Sequence, residues 1–138
     1  MTHSPITQRK IRIAVVGCGR IAKNHFQAIA THAEALELCG LCDTDPARLA
    51  ALAPTPPVPH YTRLHDLLSA EQPDLVALCT PSGLHPEQTI AAARQGVHVM
   101  TEKPMATRWQ DGVRRVKACD EAGVHLFVVK QNRRNATL

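Results

Sequence analysis

The stretch Ile11-Arg12-Ile13-Ala14-Val15-Val16-Gly17-Cys18-Gly19-Arg20-Ile21-Ala22 decides the fold. A nearly continuous apolar, largely β-branched run, interrupted only by Arg12, breaks into two closely spaced glycines and resumes with helical periodicity. It reads as strand, tight turn, helix, and the run suits a central parallel strand covered on both faces. Gly17 permits the tight turn, Gly19 lets a ligand approach the backbone, and Ala22 is small enough for close packing of helix on strand. The first amides of that helix, around Arg20 and Ile21, lack intrahelical partners and sit at the positive end of its dipole, where they suit a diphosphate.

Outward from this turn, strands and helices alternate. Ile21, Ala22, Phe26 and Ile29 form one helical stripe within residues 19–32, with His25 near its ligand end as either a packing histidine or a functional one. Leu36 to Cys42 is a second strand that ends in Asp43. A carboxylate at that point accepts hydrogen bonds from the adenosine ribose hydroxyls and repels a 2′-phosphate, which favours NAD over NADP. Asp45 followed by Pro46 reads as a helix cap, and an alanine-rich helix is expected over 46–53. The proline-rich run 54–59 forms a loop that leads into an edge strand near Val58 to Tyr61. A short helix around Leu64, Leu67 and Leu68 precedes the buried strand Leu75 to Cys79, which ends in Thr80-Pro81-Ser82-Gly83.

Pro86 to Gln95 is helical, with Gly96 as a left-handed cap. Val97 to Thr101 is the next strand and runs directly into Glu102-Lys103-Pro104. Thr107-Arg108-Trp109-Gln110 has the form of a capping box, and the stripe Trp109, Val113, Val116 and Cys119 is expected to face inward up to a cap at Gly123. Val124 to Val129 is the last strand. Strands alternating with helices imply right-handed crossovers and an α/β, Rossmann-type, doubly wound parallel sheet in the order 3-2-1-4-5-6. Ligands of such sheets gather over the carboxyl ends of the strands, and three polar clusters lie there: Gly17 to Arg20, Thr80 to His85, and Glu102 to Pro104.

Composition agrees with one domain. The chain has 138 residues, 44% of them hydrophobic, and a formal charge of +4 that attracts anionic ligands without implying nucleic acid. Its few aromatics (Phe26, Tyr61, Trp109, Phe127) are scattered and make no stacking platform. A nucleic-acid reading would rest on Arg114, Arg115, Lys117 and Arg133-Arg134, of which the helical members read as a solvated face opposite Val113 and Val116. The five cysteines are odd in number, and the sequence shows neither a signal peptide nor an apolar run of membrane length, so a cytoplasmic, non-membrane protein is expected. Cys39-Gly40-Leu41-Cys42 spells C-x-x-C, but regular strand alternation sends the two thiols to opposite faces, and no metal site is expected.

The residues Gly17-Cys18-Gly19-Arg20-Ile21-Ala22 with His25, Thr80-Pro81-Ser82-Gly83 with His85, and Glu102-Lys103-Pro104 together resemble the nucleotide-binding half of the Gfo/Idh/MocA oxidoreductases, over residues 11 to about 134. The resemblance implies an NAD-dependent dehydrogenase of sugar, inositol or related hydroxyls, with a flexible tail over 1–10, a dinucleotide-binding domain over 11–130, and a crossover over 131–138 into a second α/β domain. It implies that Lys103 lies beside the nicotinamide and the reacting hydroxyl as the catalytic residue, with burial favouring its neutral amine. Glu102 would orient Lys103 or touch the cofactor, and Pro104 would impose an unusual backbone geometry such as a cis bond. Thr80, Pro81 and Ser82 would border the nicotinamide and its ribose. His85 stands equally as a contact there or as a plain helix-start residue.

Lys130-Gln131-Asn132-Arg133-Arg134-Asn135 is similar to a subgroup that oxidises the 3-hydroxyl of UDP-N-acetylglucosaminuronic acid on the way to lipopolysaccharide sugars, which makes Asn132 and Arg133 candidate substrate contacts. The family's second domain and its aspartate–histidine motif have no counterpart in these residues. The expectation is therefore a chain that binds NAD, takes a small sugar or sugar-nucleotide partner only when completed, and has little activity alone, with oligomers left open as a partner state. A non-catalytic NAD-binding or sensing module and an inositol dehydrogenase are the other readings.

Overall fold

The computed structural model describes residues 5–52 and 57–134. The first residues of the expected tail, the start of the proline-rich loop and the end of the expected crossover lie outside them. Strands β1 (Ile11–Val16), β2 (Leu36–Cys42), β3 (His60–Tyr61), β4 (Leu75–Leu78), β5 (His98–Thr101) and β6 (Leu126–Val128) alternate with helices α1 (Ala22–Thr31), α2 (Pro46–Ala50), α3 (Leu64–Glu71), α4 (His85–Arg94) and α5 (Trp109–Ala122). The sheet is parallel throughout with the order β3-β2-β1-β4-β5-β6, the doubly wound arrangement expected from the glycine turn and the alternation. No helix among the described residues is long and apolar enough to cross a membrane.

Each face of the sheet has its own core. Val15, Leu41 and Ala77 point to one side, where Ala22 and Ile29 of α1 and Leu49 of α2 cover them. Ala14, Val16, Val76, Leu78 and Val99 point to the other, against Leu67 and Leu68 of α3 and Ala92 of α4. Burial on both faces explains why β1 and β4 are continuous apolar runs instead of alternating ones. Asp45 caps α2 through a bond from the Ala47 amide to Oδ1 of 3.0 Å, with Pro46 in the first turn, as the sequence predicts. Gly96 and Gly123 take positive φ just past α4 and α5.

Four local expectations are corrected. The β1–β2 ladder shifts register between Ile13 and Ala14, leaving Cys39 as the extra residue of a bulge. Alternation is broken there, so Cys39 and Cys42 share one core instead of opposite faces. Both are free thiols that burial pushes up to about 11, which suits packing and not redox exchange. Ile21 caps α1 from outside and is exposed, so it does not belong to the buried stripe. The capping box of α5 does not form: Arg108 is the N-cap and no side chain caps it.

The largest correction concerns the face of α5. Trp109 is 82% exposed, and Val113 and Val116 are exposed too, whereas Arg115 is 0% exposed and Cys119 is buried beside Ala93 and Val124. The helix carries two stripes of suitable spacing, and packing on α4 selects the one containing Arg115. The apolar residues instead line a surface groove of about 800 Å³ with Met105 and Ala106. This removes the basic patch as well, because Arg115 is inside and Arg114 pairs with Glu87 at 2.7 Å and Asp111 at 3.2 Å.

Candidate functional site

The carboxyl ends of β1, β2 and β4 enclose a cleft of about 510 Å³, to which Gly17, Gly19, Asp43, Arg48, Thr80 and Pro81 contribute. At the end of β1 the chain turns through Gly17, whose φ is +88°. A Cβ on it would stand 2.7 Å from the Thr80 nitrogen and 2.8 Å from the Cys79 carbonyl carbon. Glycine is thus required twice, for the left-handed backbone and for contact with the end of β4. At Gly19 an added Cβ would meet only Arg48 Nη1, at 3.7 Å, so the backbone there is open to the cleft. The amides of Gly19, Arg20 and Ile21 donate to no acceptor among the described residues, and these are the groups an incoming phosphate would need.

Asp43 closes the end of β2. It is only 8% exposed, and its oxygens accept from the Cys18 amide at 2.8 Å and the Asp45 amide at 2.9 Å. These bonds hold the glycine turn against β2 and use two of about four acceptor positions on the carboxylate. The remaining acceptor positions have no partner among the described residues.

Behind Thr80 lies a buried relay. His85 is 1% exposed, and its Nε2 donates to the Thr80 carbonyl at 2.7 Å while Thr101 Oγ1 lies 2.9 Å from Nδ1. Burial and the nearby Arg115 charge hold the imidazole below its usual basicity, against the backbone bond and Glu102, so the neutral ring with its proton on Nε2 is favoured. The Thr80 hydroxyl donates to Gln88. Both ring nitrogens of His85 are engaged by the protein, so it stands behind the turn and not on the cleft wall.

Beyond β5, Glu102 meets His25 of α1, Nε2 to Oε1, at 2.8 Å. Cys79 lies beneath, its thiol pushed up to about 12 by burial, with Glu102 and Cys18 adding to the effect. The Lys103–Pro104 bond is cis, and Lys103 is exposed. The apolar burial expected around Lys103 is not supplied by the described residues. Ser82 starts a short 3-10 turn, and Asn132 and Arg133 lie exposed in another, Gln131–Arg134, after β6. The fold therefore joins Gly17, Gly19, Asp43, Thr80 and Pro81 in one cleft and places Glu102 and Lys103 at the same edge of the sheet.

Sequence reasoning missed Arg48, Gln88 and Thr101. Arg48 had a readable signal, because the first turn of a helix starting at Pro46 looks back over the strand end. Gln88 and Thr101 act only through partners that the sequence separates. No group of histidine, cysteine or acidic residues among the described residues suits a metal ion.

A glycine turn under open helix-opening amides, an acidic residue ending β2 and a cleft over the carboxyl ends of a parallel sheet define a dinucleotide-binding Rossmann domain. Residues 11–130 match the Gfo/Idh/MocA family model, described as an oxidoreductase family with an NAD-binding Rossmann fold. The chain belongs to that family, and its cofactor is NAD. A curated D-apiose dehydrogenase of Paraburkholderia graminis is 34% identical over 123 residues, 88% of this chain and 32% of that protein. The crystal structure of the WlbA dehydrogenase from Bordetella pertussis in complex with NADH and UDP-GlcNAcA is 58% identical with a TM-score of 0.91, covering 94% of this chain and 40% of that one. The Chromobacterium violaceum WlbA structure, also with NADH and UDP-GlcNAcA, is 57% identical with a TM-score of 0.96, covering all of this chain and 40% of that one. This chain thus spans about a third to two fifths of these relatives.

Proposed function

We propose that this chain is the NAD-binding half of a dehydrogenase that oxidises a sugar-nucleotide hydroxyl, the 3-hydroxyl of UDP-N-acetylglucosaminuronic acid. The observation that carries this reading is the identity of 57–58% to two WlbA structures holding NADH and UDP-GlcNAcA, well above the 34% to the D-apiose enzyme. When bound, NAD supplies the hydride acceptor. The amides of Gly19, Arg20 and Ile21 hold its diphosphate, and Asp43 holds the adenosine ribose while repelling a 2′-phosphate. Thr80, Pro81 and Ser82 border the nicotinamide end, with His85 fixing the Thr80 carbonyl from behind.

Lys103 is the catalytic residue in this reading. As the neutral amine it would take the proton of the reacting hydroxyl while the carbon gives up its hydride to NAD, and the ammonium so formed would stay hydrogen-bonded to that oxygen. Because Lys103 is exposed here, the wall that excludes water and orients the sugar must come from the part of the relatives that this chain does not span. Asn132 and Arg133, exposed at the end of the domain, are the candidate substrate contacts in this reading, the guanidinium suiting a carboxylate or diphosphate.

The test is calorimetric titration of the 138-residue chain with NADH and NADPH, followed by turnover in a chimera that joins it to the remainder of the Chromobacterium violaceum WlbA chain. Tighter binding of NADH and UDP-GlcNAcA-dependent NAD reduction by the chimera are expected. Lys103→Ala should lower that turnover by roughly a hundredfold or more with NADH affinity nearly unchanged, as for loss of a group acting on developing charge. Tighter binding of NADPH overturns the role of Asp43, and full turnover in the Lys103 variant overturns that of Lys103.

A further inference from the structure

One polar contact at the strand ends joins segments far apart in sequence and belongs to none of the roles above. His25 projects from α1, the helix that opens at the diphosphate site, and Glu102 follows β5. Their contact, Nε2 to Oε1 at 2.8 Å, passes over the end of β4, which separates β5 from β1 in the sheet. Both side chains are mostly withdrawn from water, at 15% and 13% exposure. The surroundings are poor for a carboxylate: the half-buried Cys79 thiol and buried His85 are close enough to feel its charge. A charge in such a place needs a directed donor, and among the described residues His25 is the one that reaches it. The other oxygen, Oε2, has no hydrogen-bond partner among the described residues.

We propose that His25 is a positioning residue for the nicotinamide end of the cofactor site. By donating from Nε2 to Oε1 it fixes the Glu102 carboxylate and presents Oε2, the unused acceptor, to the nicotinamide riboside of bound NAD. The same bond ties α1, which carries the diphosphate, to the strand end that carries Lys103, so the two ends of the dinucleotide are held at one spacing. This inference rests on the reading that Glu102 faces the nicotinamide end.

The test measures binding of NADH and of ADP, which lacks the nicotinamide riboside, to the parent chain, His25→Ala, His25→Gln, Glu102→Ala and the double alanine variant. Losing a hydrogen bond to a charged acceptor predicts about tenfold weaker NADH binding for His25→Ala, with ADP affinity within about twofold. His25→Gln, which keeps a donor at similar reach, should recover most of the loss. The double variant should bind NADH no more weakly than Glu102→Ala, because His25 acts through Glu102. Equal losses for NADH and ADP in His25→Ala would show a general structural role and overturn the proposal. A normal His25→Ala beside a weakened Glu102→Ala would overturn it while leaving the role of Glu102 standing. A normal Glu102→Ala would instead remove the underlying reading. Independently of any variant's folding, the imidazole NMR signals of His25 in the parent chain should shift on adding NADH and stay in place on adding ADP; no shift with NADH refutes the assignment.

Discussion

Gly17 and Gly19 stand two residues apart in one turn, and the structure predicts opposite consequences for replacing them with alanine. At Gly17 the backbone has φ of +88°, and a Cβ would lie 2.7 Å from the Thr80 nitrogen and 2.8 Å from the Cys79 carbonyl carbon. Left-handed backbone at a non-glycine residue costs about 1–2 kcal/mol, and forcing a methyl group into a packed site costs about 1–3 kcal/mol more. The obstructing atoms are backbone at the end of β4, so little relief is available without moving a strand whose ladder bond, from the Cys79 amide to the Val16 carbonyl, is 2.7 Å. A total of roughly 2–5 kcal/mol is a large share of the roughly 5–15 kcal/mol that holds an ordinary domain together, and corresponds to a fall in Tm of about 10 °C or more.

At Gly19 the nearest atom to an added Cβ is the end of the Arg48 side chain, 3.7 Å away, which is ordinary contact. Gly19→Ala should keep stability within about 0.5–1 kcal/mol of the parent, the usual penalty scale of a glycine site without positive φ, while weakening NADH by about tenfold or more because the methyl group occupies the approach of the diphosphate. Urea denaturation followed by circular dichroism, with NADH titration by calorimetry, separates the two effects. A Gly17→Ala chain as stable as the parent would refute the close packing of the turn on β4. A Gly19→Ala chain that binds NADH normally would refute the placement of the diphosphate over that backbone.

Two further outcomes follow from groups buried beside the site. Arg115 is fully buried, bonds Thr89 through Nε at 3.0 Å, and has Nη1 and Nη2 without partners among the described residues. Replacing it with methionine, of similar length and no charge, should raise stability by about 1–2 kcal/mol in urea denaturation, and a large loss would show that the guanidinium is satisfied after all. His85 has its basicity lowered in the fold, mainly by burial with Arg115 contributing, while its bond to Thr80 and the Glu102 charge act the other way. Its contribution to stability is therefore complete above the ordinary histidine pKa of about 6.5 and is lost as pH falls through the lower folded value. Thermal stability of the parent should decline from pH 7 to about 5, and His85→Gln should show a shallower decline; parallel profiles would rule out His85 as a source of the slope.

Most of the frame was legible in the sequence because it follows from short-range patterns. Continuous apolar runs marked β1 and β4 as strands covered on both sides, the glycines and Asp43 marked a dinucleotide turn, and the caps at Asp45, Gly96 and Gly123 are local backbone chemistry. The errors share a different cause. On α5 both stripes have helical spacing, and only contact with Thr89 and Ala93 on α4 selects the one with Arg115. Regular strand alternation separates the thiols of Cys39 and Cys42, and the bulge that brings them together arises from the register against β1. His85 was readable as part of the strand-end cluster, but not as a residue turned inward onto Thr80 and Thr101.

The sequence by itself determined the parallel sheet and its strand order, since each depends on residue type and spacing along the chain. Only the tertiary structure decided which strand-end groups face the cleft and which support it. That choice depends on contacts between segments such as Gly17 with Thr80, Asp43 with the Cys18 amide, and His25 with Glu102, whose partners lie tens of residues apart. Such contacts form when β1, β2, β4 and β5 come to lie side by side, and no local pattern encodes them.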